Sequence, residues 1–122
     1  MATILIVDDS NLSRKTSRRI LEGGGHLVRE ASDGMAALEE YTLERPDIVL
    51  LDVTMTDMNG LQVLEQLRAI DPAVLVVMAT ADVQSSTREL AKAGGAAGFV
   101  TKPFDREAVL GAVAAALEVA AG

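Results

Sequence analysis

Two hydrophobic periods alternate along this chain from end to end, and that alternation restricts the fold more than any other feature. Thr3-Ile4-Leu5-Ile6-Val7 is a β-branched apolar run that reads as a buried strand. Ser10 to about Glu22 then follows a helical period, with Leu12, Thr16, Ile20 and Leu21 on one face. Gly23-Gly24-Gly25 stops that helix, because glycine readily takes the left-handed cap conformation. Further strands are expected at Leu27–Ala31, Asp47–Leu51, Val74–Ala79 and Ala97–Thr101. Helices are expected through Met35, Leu38 and Tyr41, through Leu61, Val63, Leu64 and Leu67, over Val83–Ala93, and from an N-cap at Asp105 to about Ala120. Pro46 and Pro72 mark helix ends, since the residue before a proline avoids the helical region. Strands alternating with helices form an α/β fold, a doubly wound parallel sheet covered on both faces. Five strands and five helices are expected, in one domain spanning 1–122.

Bulk properties exclude several functions. The chain has no cysteine, so neither a disulfide nor a thiolate metal site is available. Its 18 acidic residues against 11 basic ones give a net charge of -7, which disfavours nucleic-acid binding by the chain itself. Apolar runs such as Ile48-Val49-Leu50-Leu51 are strand-sized, so no membrane span is expected. No signal-peptide pattern is read at the N-terminus, and a cytoplasmic location is expected. Arg14, Lys15, Arg18 and Arg19 nevertheless fall within six residues, as a solvated helix face or a docking face for an acidic partner.

In an open parallel sheet the site lies beyond the carboxyl ends of the strands. Strand one ends in Asp8-Asp9, strand three in Asp52, strand four in Thr80-Ala81 and strand five in Lys102-Pro103. Each alone has an ordinary explanation as a helix cap, a turn or a solvated side chain. Their joint occurrence at neighbouring strand ends needs a common cause. Two like charges about 4 Å apart repel by roughly 4 kcal/mol at an effective dielectric near 20. Three converging carboxylates therefore take up protons or share a cation, and one ammonium at Lys102 cannot balance them. Hard oxygen ligands without Cys or His suit Mg²⁺, with Mn²⁺ as the alternative. A carboxylate beside such a cation is suited to phosphoryl transfer, with Asp52 best placed as nucleophile, Lys102 paired with a phosphoryl oxygen and the Thr80 hydroxyl donating to another.

Asp8-Asp9, Leu51-Asp52-Val53-Thr54-Met55, Asn59-Gly60, Thr80-Ala81 and Lys102-Pro103 together resemble the bacterial response-regulator receiver family, over about Thr3 to Leu117. The resemblance implies a flavodoxin-like sheet of order 2-1-3-4-5. It implies that Asp52 accepts a phosphoryl group from a phosphohistidine on a sensor histidine kinase or histidine phosphotransfer protein. Asp9, Asp52 and the Thr54 carbonyl would bind Mg²⁺ directly, and Asp8 through a water. The Lys102–Pro103 bond would be cis. Thr80 and Phe99 would form the switch that reshapes the helix-four, strand-five and helix-five face for a downstream protein target. With Phe in place of the commoner Tyr there, an inward ring is expected to be favoured. Asp82 and Thr54 would flank the hydrolytic water. One departure is plain: Thr56 stands where the family usually has proline, which suggests a looser loop that does not touch the carboxylates. Arg14, Arg18 and Arg19 would steer an acidic phosphotransfer partner.

Rival readings fare worse. A flavin phosphate after strand one would meet two aspartates. A haloacid-dehalogenase-like phosphatase expects an acid at Thr54, and no Gly-Lys-Ser/Thr phosphate loop occurs. The expected protein is therefore not a turnover enzyme but a chain that catalyses its own phosphorylation and slow dephosphorylation, as a monomer or weak homodimer. The alternative is a degenerate receiver acting as a phosphorylation-independent interaction module.

Overall fold

The computed structural model describes residues 1–81 and 85–121. Expectations at Asp82 and Val83 lie outside the described residues. Five strands, β1 (Thr3–Val7), β2 (Leu27–Ala31), β3 (Ile48–Asp52), β4 (Val76–Thr80) and β5 (Gly98–Thr101), alternate with five helices. The helices are α1 (Asn11–Gly23), α2 (Gly34–Leu43), α3 (Gly60–Ile70), α4 (Ser85–Ala93) and α5 (Arg106–Ala121). All strand pairings are parallel, in the order β2-β1-β3-β4-β5. The direction of winding reverses between β1 and β3, so their carboxyl ends open the crevice where a site is expected.

Every residue of the central strand β3 is buried, as a strand sandwiched by helices requires. Two apolar clusters result, one on each face of the sheet. Leu5, Val7, Val49, Leu51 and Met78 meet α2 and α3 through Tyr41, Val63, Leu64 and Leu67. Ile4, Ile6, Ile48, Leu50 and Val77 meet α1 and α5 through Leu21, Val109, Val113 and Ala116. Each fully buried Leu or Ile contributes about 2 kcal/mol. The Tyr41 hydroxyl donates to Asp71 at 2.7 Å and ties the end of α3 to α2.

Helix ends follow local chemistry. Ser10, Asp33 and Asn59 cap α1, α2 and α3, each accepting a backbone N–H, and Asn59 and Gln62 form a reciprocal capping box. Gly25 after α1 and Gly95 after α4 have φ of 89° and 93°, the left-handed conformation that side chains disfavour. The α5 face toward the sheet is Val109, Val113 and Ala116, whereas Val119 is exposed.

Two local expectations are corrected. Strand β4 begins at Val76 rather than Val74. The Val74 N–H bonds back to the Asp71 carbonyl at 3.0 Å, closing a turn around Pro72 that removes it from the ladder. On α1 the apolar pattern points Leu12 inward, yet Leu12 is 75% exposed and Ser17 is fully buried. The Ser17 hydroxyl donates to the Ser13 carbonyl at 2.9 Å, which lets a polar residue face the core without an unmet donor.

Gly60 at the start of α3 is held against β3. A Cβ there would lie 2.2 Å from the Asp52 carbonyl oxygen and 2.7 Å from the Val53 Cα. Its N–H meanwhile donates to the Val53 carbonyl at 2.7 Å. The clash is with backbone, which has little room to yield. Gly60→Ala is expected to destabilise the chain by about 1–3 kcal/mol in urea unfolding. A native midpoint would show that the β3–α3 junction adjusts freely.

Candidate functional site

Asp8 and Asp9 follow β1, and Asp52 is the last residue of β3. Strand pairing between β1 and β3 sets these acids side by side. Ligand-type oxygens of Asp8, Asp9 and Asp52 all lie within 4.8 Å of one another. Asp8 and Asp52 are buried and Asp9 is exposed. Asp52 sits inside the strand, one residue deeper than a loop position, so its backbone is fixed by the ladder.

Lys102 enters from the end of β5. Its ammonium lies 2.9 Å from Asp8 Oδ2 and 3.4 Å from Asp52 Oδ2, and its side chain is mostly covered. The Lys102–Pro103 peptide is cis. The Lys102 N–H donates to the Thr80 carbonyl at 2.8 Å, which joins the ends of β4 and β5. Thr80 itself is buried at that edge. Thr54 lies two residues after Asp52, and its N–H donates to Asp52 Oδ1 at 3.4 Å.

The charges do not balance. Among the described residues three carboxylates meet, and the Lys102 ammonium pairs with two of them, Asp8 and Asp52. Burial first, and the nearby Asp8 carboxylate second, push the Asp52 carboxyl up to about 6 against the pull of Lys102 and the Thr54 N–H. Burial opposes the charge on Lys102, but its hydrogen bond to Asp8 and the negative charge of Asp52 raise its pKa overall. The donor set is all carboxylate oxygen, with no His or Cys among the residues brought together, and this fits a hard divalent cation.

The arginines of α1 behave differently from a free docking face. Arg14 Nε pairs with Glu30 at 3.1 Å, and one guanidinium nitrogen donates to the Asp8 carbonyl at 2.6 Å. Its other terminal nitrogen bonds Asn11. Arg18 pairs with both Glu30 and Glu22. The hydrogen bond with Arg18 is the main reason the Glu30 carboxyl is lowered and the Arg18 guanidinium raised. Glu30, on the edge strand β2, was not apparent as a partner in the sequence. The outward charge of α1 then rests on the exposed Lys15 and Arg19.

Phe99 on β5 is half-buried, packed against the core cluster that contains Met78. The Arg88 guanidinium covers its ring at 4.9 Å from the centroid. The loop after β3 is not free of the acids. The Thr56 N–H donates to Asp9 Oδ2 at 3.1 Å, so the expectation that residue 56 leaves the carboxylates untouched is overturned. The reason lies in the backbone, because any residue but proline carries that donor.

The profile of the response regulator receiver domain matches residues 4–114. The chemotaxis protein CheY of Listeria monocytogenes is 39% identical over 114 residues, covering 93% of this chain and 96% of that one. The response regulator MprA of Mycobacterium ulcerans is 38% identical over 114 residues, which take up 49% of its length. The crystallised chemotaxis protein CheY4 of Vibrio cholerae superposes with a TM-score of 0.88 at 31% identity, covering 93% of this chain and 97% of that one.

A raised carboxyl has a defined consequence for stability. Asp52 holds its proton more tightly when folded than when unfolded. Its contribution is therefore fully present below about pH 4 and is lost as pH rises through about 6. Relative to Asp52→Asn, the metal-free native chain is expected to lose roughly 2–3 kcal/mol between about pH 4 and about pH 7. Denaturant unfolding across that range reads the difference, and a flat difference would contradict a raised Asp52 carboxyl.

Proposed function

The chain belongs to the response regulator receiver domain family, and from that membership we propose that Asp52 accepts a phosphoryl group from a phosphohistidine in a Mg²⁺-dependent reaction. The observation that carries the reading is the convergence of Asp8, Asp9 and Asp52 on one point with a single paired ammonium. Asp9, Asp52 and the Thr54 carbonyl would hold the cation, with Asp8 acting through water. When bound, the cation supplies neutralisation of phosphoryl oxygen charge.

The chain's own residues do the rest. An Asp52 carboxylate oxygen attacks phosphorus; a P–O bond forms, the P–N bond of the phosphohistidine breaks, and the departing imidazole keeps the electron pair. The nucleophile must be ionised, which the about-6 carboxyl of Asp52 satisfies in most molecules at neutral pH. Lys102, already within reach of Asp52, follows the charge onto the phosphoryl oxygens. The Thr80 hydroxyl donates to another of those oxygens. Hydrolysis reverses the state: water attacks phosphorus and the Asp52 carboxylate leaves. The chain thus catalyses its own modification and is not a turnover enzyme.

Output is a change of binding surface. Thr80 moves toward the phosphoryl group and Phe99 turns into the space it leaves, so that α4, β5 and α5 present a different face to a downstream protein. The contact of Arg88 on Phe99 supports this reading, since inward movement of the ring would release a cation from its face. The donor would dock beside α1, where the exposed Leu12 lies in a shallow groove with Pro103 and Phe104 next to Lys102. Lys15 and Arg19, rather than the internally paired Arg14 and Arg18, would steer an acidic donor. No described helix is long and apolar enough to cross a membrane, and a cytoplasmic site of action is proposed.

Incubation with acetyl phosphate and Mg²⁺, read by intact mass, tests the assignment. One phosphoryl group is expected on the native chain, and none on Asp52→Asn or after chelation of the metal. Equal labelling of Asp52→Asn would remove Asp52 as the acceptor.

A further inference from the structure

Of the three acids, Asp9 alone is exposed. An exposed carboxylate on an unpacked side chain rotates among several rotamers, and fixing it for a ligand loses that freedom. In this chain the β3–α3 loop removes it beforehand. The Thr56 N–H donates to Asp9 Oδ2 at 3.1 Å. A carboxylate has acceptor sites on both oxygens, so this hydrogen bond does not exhaust what Asp9 can offer a ligand.

The donor is itself anchored. The next residue, Asp57, sends its carboxylate to the first turn of α2, where Oδ1 accepts from the Gly34 N–H at 3.0 Å and Oδ2 from the Met35 N–H at 3.2 Å. Those hydrogen bonds, Gly34's foremost, hold the Asp57 carboxyl below its ordinary range. An ionised Asp57 at a helix N-terminus is favoured by the unpaired N–H groups there. On the far side, Asn59 caps α3 and Gly60 is pressed against the Asp52 carbonyl. Thr56 therefore adjoins a short segment pinned to α2 through Asp57 and to β3 through Gly60.

We propose that the Thr56 backbone N–H is a positioning donor that pre-orients Asp9 for the divalent cation, a function that the proline usual at this place in the family cannot perform. Ligating carboxylates held by such outer contacts bind more tightly, and losing one such contact commonly weakens metal affinity about 10-fold or more. The side chain of Thr56 has no part in it. The inference rests on the cation reading of the site, and the experiment below separates the two.

Mg²⁺ affinity is measured by isothermal titration for the native chain, Thr56→Pro and Thr56→Ala. Thr56→Pro is expected to bind about 10-fold more weakly, and Thr56→Ala, which keeps the N–H, within about two-fold of native. Because proline could also reshape the loop, a second measurement needs no change at 56. Without metal, hydrogen exchange of the Thr56 amide is expected to be slowed in the native chain and to speed up several-fold in Asp9→Ala. Native Mg²⁺ affinity in Thr56→Pro, or unchanged Thr56 exchange in Asp9→Ala, overturns the inference. Absence of Mg²⁺ binding by the native chain overturns the cation reading instead.

Discussion

Three carboxylates held against one ammonium organise this molecule. Asp8, Asp9 and Asp52 approach within 4.8 Å, and Lys102 reaches two of them. A site so arranged binds protons or a cation, and either response has consequences beyond its immediate ligands. Burial, and then the neighbouring Asp8 carboxylate, raises the carboxyl of Asp52, while Asp8 and Asp52 together raise the ammonium of Lys102 against its own burial. The fold tolerates this cluster because Asp52 lies in, and Asp8 and Asp9 directly follow, ladders whose apolar residues are packed on both faces of the sheet. Stability is generated by the core and consumed at one edge, which is the usual placement of a reactive centre in an open parallel sheet.

Residues from several elements close around the cluster. Gly60 lets α3 start directly against the Asp52 carbonyl. Arg14 braces the Asp8 carbonyl from α1, and Glu30 on β2 holds Arg14 in turn. Thr56 and Asp57 link the β3–α3 loop to Asp9 and to α2. A phosphoryl group on Asp52 would meet Lys102 and the β4–β5 edge, where Thr80 and Phe99 lie.

Much of this was legible in the sequence because periodicity and chain order carry it. β1 has the bounds that its β-branched run indicates, β2 those expected between Gly25 and Asp33, and the acids at strand ends follow from the topology. What escaped were features set by particular hydrogen bonds, most of them between distant segments. Ser17 reads as polar, yet its hydroxyl is satisfied within the helix and it faces the core. Arg14 and Arg18 read as a solvated or docking face, yet an edge-strand glutamate pairs with both. Thr56 reads as the loss of a stiff proline, yet its backbone gains a contact that no side-chain pattern encodes.

The most direct test of the central claim is the proton count on Mg²⁺ binding, obtained by titration calorimetry in buffers of different ionisation enthalpy. With the Asp52 carboxyl near 6 in the free protein, binding at about pH 6 should release roughly half a proton per cation, and close to none above about pH 8. Binding with no proton release near pH 6, or no binding at all, would contradict an acid cluster that shares a cation with its own acceptor.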